Sequence, residues 1–170
     1  FGENKLFVTS GYGTLTALDP KTGLPIWVHD LNAGGTGTPS VYDGVVYVVA
    51  GDGTAVALEA DTGRMRWEVD AATSSAAGVD GGVAPALTNK FVVFALASGE
   101  IFSVFRKGGL RYWSSLMSGK RFGVAAATVN DVTSDPVVVD DTVYVGSHSG
   151  RLVALDISSG KRHWTLQEGA

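Results

Sequence analysis

No cysteine occurs anywhere in the chain. Disulfide bridges, cysteine-ligated metals, c-type haem attachment and thiol catalysis are therefore excluded together. Long hydrophobic runs are also missing: the longest spans residues 91–97, far short of the ~20 apolar residues that cross a bilayer as a helix. Proline is scarce, at 5 of 170 residues, and histidine scarcer, at 3. The formal net charge of −4 argues against a surface built for nucleic-acid phosphates. The chain opens on Phe1 with no secretory leader pattern, and reads as a piece of a longer protein whose targeting signals lie elsewhere. What remains, 45% hydrophobic and 18% charged residues, is enough to build an ordinary packed core.

Glycine, by contrast, is abundant at 23 residues, and its placement is regular. Four tryptophans, Trp27, Trp67, Trp113 and Trp164, set the spacing. Each follows one glycine by four residues (Gly23, Gly63, Gly109, Gly160) and another by fourteen (Gly13, Gly53, Gly99, Gly150). The last three also follow a proline by 28 residues (Pro39, Pro85, Pro136). A fixed period of this kind marks one supersecondary unit used repeatedly.

The second unit predicts four strands, over residues 38–42, 45–50, 54–59 and 64–69, with turns at Asp43-Gly44, Asp52-Gly53 and Asp61-Thr62-Gly63. Asp-Gly between apolar runs is a strong hairpin signal, because these turns need residues that tolerate φ > 0. The fourth unit repeats the pattern from Asp135 to Trp164. The third does so from Pro85 to Trp113 with weaker turns, and the first lacks its opening strand. No stretch sustains a 3.6-residue period, so no helix is expected. Four-stranded antiparallel units of about 40–45 residues are β-propeller blades. The expected fold is all-β, with blades near residues 1–32 (incomplete), 37–70, 83–116 and 134–168. The tryptophans are expected to pack blade against blade and to carry no chemistry.

The distance from each tryptophan to the next proline is not constant: 12, then 18, then 23 residues. All the length variation falls in the step from the outer strand of one blade to the inner strand of the next. That step lies on the same face as the turns between second and third strands. Insertions gathered on one face of a repeat array point to a binding face. The inserts are residues 70–84 and 114–135, both rich in small apolar residues. They suit either a protein partner or burial over the central channel.

Other constellations are weak. The glycine-rich stretch 33–38 is followed by no lysine and no helix, so it is a linker rather than a phosphate cradle. His29, His148 and His163 fall on different units without metal-ligand spacing, and no nucleophile-elbow pattern accompanies them. Asp43, Asp52, Asp61, Asp140, Asp141 and Asp156 recur at turns, where carboxylates bond to local backbone N–H groups. Arg106, Lys107, Arg111, Lys120 and Arg121 form a basic cluster, expected as a solvated edge, with an acidic partner or lipid headgroups as the alternatives. No catalytic, metal or cofactor residue is assigned.

The segment 17–27, Ala-Leu-Asp-Pro-Lys-Thr-Gly-Leu-Pro-Ile-Trp, resembles the quinoprotein-type (PQQ-like) propeller repeat, A-x-D-x-x-T-G-x-x-x-W. Segments 57–67 and 154–164 match nearly as well, and 103–113 departs. A second resemblance is carried by 130–139, Asn-Asp-Val-Thr-Ser-Asp-Pro-Val-Val-Val, and by 105–113, which are similar to the BamB family of the outer-membrane β-barrel assembly machine, in its alphaproteobacterial branch. That resemblance implies an eight-bladed ring, of which this chain supplies about four blades. It implies a non-enzymatic scaffold at the periplasmic face of the outer membrane, with any lipid anchor outside this segment, binding the POTRA region of a BamA-like partner without a cofactor. The family's partner contacts fall in the two long inserts, on Val79, Asp80 and Gly81 in the first and Asp131, Val132 and Thr133 in the second. Asp131 keeps the family's aspartate. Thr133 replaces another, and Asp80 stands where the family has arginine.

Two further readings stay open. A quinone-dependent dehydrogenase would need a quinone, a calcium ion and, in many members, a vicinal cysteine pair, which this chain lacks. A sensor or extracellular module would carry the same repeats. Fewer blades than a ring also leave two open edges, to be closed by further chain or by a second copy in a homodimer.

Overall fold

In the computed structural model, residues 1–34, 37–71, 83–117, 132–147 and 150–167 are described. Every regular element among them is a β-strand, arranged as four antiparallel sheets. The first sheet holds β1 (Leu6–Thr9), β2 (Thr14–Leu18) and β3 (Pro25–Asp30). The second holds β4 (Ser40–Tyr42), β5 (Val45–Val49), β6 (Ala55–Glu59) and β7 (Met65–Val69). The third holds β8 (Ala86–Leu87), β9 (Phe91–Ala95), β10 (Glu100–Phe105) and β11 (Arg111–Leu116). The fourth holds β12 (Val137–Val139), β13 (Thr142–Gly146), β14 (Arg151–Asp156) and β15 (Arg162–Gln167). Each sheet is a meander in chain order, the architecture of part of a β-propeller.

The short strands β4 and β12 both approach β8, which makes them the inner strands. Each starts just after its repeat proline (Pro39, Pro85, Pro136) rather than at or before it, because proline has no N–H to give to the ladder. The Asp43-Gly44 turn has φ of 51° and 70°, both left-handed, as a two-residue hairpin of type I′ demands. Every sheet carries one register shift at the same place, opposite the residue just before its tryptophan: after Ala17, Ala57, Ser103 and Ala154. A bulge of this kind re-aims the side chains on either side of it.

The core is divided among the junctions between sheets. Phe7, Leu15 and Ala17 meet Val46, Val48, Val56 and Leu58 between the first two blades. Val45, Tyr47 and Ala57 meet Val92, Phe94, Phe102 and Val104 at the second junction. Phe91, Val93 and Ile101 meet Val143, Val145, Val153 and Leu155 at the third. Both faces of the middle blades are buried, which is why β5 and β9 read as unbroken apolar runs.

The tryptophans lock these junctions. The Trp27 ring lies so close to Gly63 of the next blade that a Cβ there would sit 2.7 Å from it. Trp67 covers Gly109 at 2.7 Å in the same sense, and Trp113 covers Gly160 at 2.5 Å. Each indole Nε1 then donates to the carbonyl three residues before that glycine: Ala60 at 3.0 Å, Arg106 at 3.0 Å and Ile157 at 2.7 Å. Trp113 is 8% exposed. Trp164, with no described blade beyond it, is 45% exposed and leans on Tyr144.

The turn itself is held differently in the third blade. Asp19 accepts bonds from Lys21 N and Thr22 N, and Asp156 from Ser158 N and the Ser158 and Ser159 hydroxyls. Those donors hold both carboxyls below the usual aspartate range. In the third blade the corresponding residue is Phe105, which packs on Phe91 and Tyr112 at 5.4 and 4.9 Å between ring centres. The weaker turn expected there is thus an aromatic cluster.

Gly23 and Gly160 have nearly the same φ, +71° and +67°, but nothing lies within 4 Å of a Cβ on Gly23. Gly23→Ala is expected to cost about 1–2 kcal/mol, the penalty of a left-handed conformation for an L-residue. Gly160→Ala pays that and also displaces Trp113, so it is expected to cost several kcal/mol in total, approaching the ~3–5 kcal/mol of deleting a buried tryptophan. Equilibrium urea denaturation of the two variants checks the difference.

Candidate partner-binding face

The exits of the outer strands lie beside the turns between second and third strands. Leu31 N donates to Gly13 O at 2.7 Å, and Met117 N to Gly99 O at 2.8 Å. Both long inserts leave the blades from such exits, so they emerge on one face. They also return close together. Ala84 N, at the end of the first insert, donates to Asp135 Oδ1, at the end of the second, at 2.8 Å. Val83 packs against the same cluster that holds Val132, and Ser40 Oγ donates to Pro85 O at 2.8 Å, tying the second blade's inner strand to the third's.

The second insert re-enters through a short antiparallel contact. Val132 pairs with Ser147, Thr133 N donates to Gly146 O at 3.3 Å, and the Ser134 hydroxyl accepts from Gly146 N at 2.9 Å. Among the expected contact residues, Val79, Asp80, Gly81 and Asp131 lie outside the described residues. Val132 is 5% exposed and sits in the core beside Met117 and Val145. Its side chain packs inward and anchors the end of the loop. The bridge to Ser147 holds Val132 against the core, while Thr133, Ser134 and Asp135 after it are exposed.

The basic cluster also differs from a solvated edge. Arg106 is 8% exposed. Its guanidinium donates to Asp43 Oδ2 at 3.1 Å and Asn89 O at 3.2 Å and lies 4.7 Å from the centre of the Tyr42 ring. Burial works against its charge, but bonds to Tyr47 and Asp43 outweigh that, and the net shift of its pKa is upward. Burial raises the Tyr47 hydroxyl, against the pull of Arg106. Arg111 donates to Glu100 Oε1 at 3.1 Å, sits 4.5 Å from the centre of the Phe102 ring and also reaches the Asp70 carbonyl. Both arginines are clasps between the second and third blades. Lys107 is exposed, and Lys120 and Arg121 lie outside the described residues. One sequence signal for the clasp exists: Arg106 occupies the repeat position filled by Pro20, Ala60 and Ile157 in the other blades.

His163 Nε2 lies 4.0 Å from Asp156, His29 is on the first blade, and His148 is outside the described residues. The turn aspartates divide their work. Asp52 caps its own turn through Thr54 N at 2.9 Å, whereas Asp61 reaches across to Lys5 of the preceding blade at 2.7 Å, as Asp43 reaches to Arg106.

Arg106→Met is expected to leave the buried Tyr47 hydroxyl without its partner and to cost about 1–3 kcal/mol of stability. The midpoint of urea unfolding, followed by tryptophan fluorescence, measures it.

A family model described as outer membrane protein assembly factor BamB matches residues 1–170. The outer membrane protein assembly factor BamB of Moranella endobia is 30% identical over 168 residues, covering 98% of this chain and 43% of that protein. The crystal structure of BamB from Moraxella catarrhalis superposes with a TM-score of 0.78 at 24% identity, covering 98% of this chain and 50% of that one. A quinohemoprotein alcohol dehydrogenase from Pseudomonas putida superposes with a TM-score of 0.76 at 18% identity, covering 98% of this chain and 33% of that one. The chain thus spans less than half the length of the Moranella relative, and its fold is shared by assembly factors and by enzymes.

Proposed function

The chain belongs to the family of outer membrane protein assembly factor BamB, and from that premise we propose that it is a non-enzymatic scaffold. Its partner is the periplasmic POTRA region of a BamA-like barrel protein, and its place is the periplasmic face of the outer membrane. The observation that carries this reading is the bond from Ala84 N to Asp135 Oδ1. It ties together the ends of the two inserts that set this chain apart from a plain repeat. Two loops held at a common base offer one composite surface, as a protein partner requires. Val79, Asp80 and Gly81 contribute from the first loop, and Asp131 and Thr133 from the second. Val132 acts from below, as the anchor that fixes where Thr133 points.

Titration calorimetry of the chain against the purified periplasmic region of a BamA-like protein tests the reading. Micromolar binding is expected, weakened at least about tenfold, or roughly 1.4 kcal/mol, by Asp131→Arg. Thermal unfolding of that variant should match the parent. No heat of binding at about 100 μM of each protein, a level that still reports a Kd in the 10⁻⁴ M range, would sink it.

A second partner follows from the open junctions. The Trp164 face and the Gly23 turn are the two halves of the contact that closes every internal junction. Two copies of a four-sheet unit, joined at both junctions, make one closed ring, and we assign a homodimer to the isolated 170-residue polypeptide. Light scattering is expected to report twice the 17.6 kDa chain mass, falling to one chain mass in Trp164→Ala. A strict monomer for the parent rules the dimer out.

A further inference from the structure

We propose that the cleft between the first and second blades is a seat for an arginine side chain supplied by a protein partner. The neighbouring junctions carry the argument, because there the chain fills the equivalent place with its own guanidinium. Arg111 stands two residues before Trp113 and reaches the carbonyl of Asp70, three residues after Trp67. Its charge is met by Glu100 at 3.1 Å and its flat face by the Phe102 ring at 4.5 Å. Arg162 stands two residues before Trp164 and donates to the carbonyl of Leu116, three residues after Trp113, at 2.5 Å.

At the first junction the residue two before Trp67 is Met65, 39% exposed, and the residue three after Trp27 is Asp30. A cleft of about 220 Å³ opens there, lined in part by Asp30, Thr54, Val56 and Met65. The strand registers make these the counterparts of Asp70, Glu100, Phe102 and Arg111: Thr54 precedes the pair Ala55–Val69 as Glu100 pairs with Leu116, and Val56 pairs with Glu68 as Phe102 pairs with Ser114. The feature shared by both arginine-filled junctions, the carbonyl three residues after the preceding tryptophan, thus has its counterpart at Asp30, while Thr54 and Val56 stand in place of Glu100 and Phe102, and methionine in place of arginine.

The chemistry of the lining has changed to suit an outside cation. Asp30, Asp52, Glu68 and Asp70 all border the cleft, and no lysine or arginine does among the described residues. Asp30, Asp52 and Asp70 each spend one oxygen locally, on Asn32 N, Thr54 N and Thr54 Oγ1. Among the described residues no three His, Asp or Glu side chains converge as metal ligands do. The volume is below the ~300–1,000 Å³ of small-molecule sites. It suits one side chain, and a planar fork with several donors matches a carbonyl flanked by carboxylates better than a compact ammonium does. Asp70 is also where the first long insert begins, so a partner that reaches the inserts passes over this cleft. The seat stands on the repeat geometry and needs no particular partner.

Methyl and amide NMR of the 170-residue chain, titrated with N-acetyl-arginine amide, tests it directly. Saturable shifts are expected at Thr54, Val56 and Met65 with a Kd of about 1–10 mM. The lysine analogue should bind at least about threefold more weakly, some 0.6 kcal/mol, and calcium chloride should leave these residues unmoved. Met65→Arg should abolish the response by supplying the guanidinium in cis, and should raise the melting temperature. Glu68→Gln, an exposed and mild change, should weaken the arginine response should Met65→Arg fail to fold. The proposal is overturned by no shift at 50-fold the expected Kd, by equal response to the lysine analogue or calcium, or by an unchanged response in Glu68→Gln and Met65→Arg. Failure of the chain to bind a BamA-like protein would leave this titration untouched.

Discussion

The insertion of one blade's tryptophan onto the next blade's glycine turn is the contact on which the rest of this structure depends. It explains why two residues four apart in sequence recur together although they do not serve each other. Gly63 is kept bare for Trp27, Gly109 for Trp67 and Gly160 for Trp113. The glycine thus answers two demands at once, a left-handed φ and the close approach of an indole. The indole N–H, which would be costly to bury unpaired, finds a carbonyl of the same turn. Because each contact joins a blade only to its neighbour, stability is passed along the array junction by junction. The apolar clusters follow the same division.

Once the shared contact is set aside, what distinguishes one junction from another is its charge. The second junction is clasped twice, by Arg106 onto Asp43 and by Arg111 onto the Asp70 carbonyl. The third is held by Arg151 and Arg162 onto the carbonyls of Met117 and Leu116. The first has Lys5 onto Asp61 and, in place of a clasp at the outer strand, the Met65 cleft. Buried or half-buried arginines in such places mainly satisfy backbone oxygens and orient blades. They are not a surface for anionic partners, whatever their clustering in sequence suggests.

Much of this was legible in the chain before any coordinates. The strand number and order follow from the turn residues and the tryptophan spacing, because turn chemistry and bulge position are local. The face from which the inserts leave follows from counting, since the length of an insert is visible in sequence and its exit point is set by the meander. Two things were hidden, for the same reason. That each tryptophan packs on the next blade was expected, but the glycine and carbonyl it meets lie in the next repeat, and Arg106 reads as one charge in a basic run until its neighbours Tyr42, Tyr47 and Asp43 arrive from another blade. The burial of Val132 was not legible either, since it depends on a bridge to Ser147 and on Met117 and Val145, which come from distant parts of the chain.

The fold does not choose between scaffold and enzyme, since an alcohol dehydrogenase and an assembly factor superpose on the chain about equally well. A fold shared by both classes cannot carry the distinction. The difference has to come from segments that the repeat does not need. In this chain those are the two inserts, which leave from the face where the outer strands end, and the substitution at Met65, whose cleft reaches Asp70 at that end. A structural repeat that tolerates change on one face and guards its junctions elsewhere is under different constraints on its two sides. The relaxed side is where a partner can be accommodated without loosening the array, and the bond from Ala84 to Asp135 gives that side a defined base.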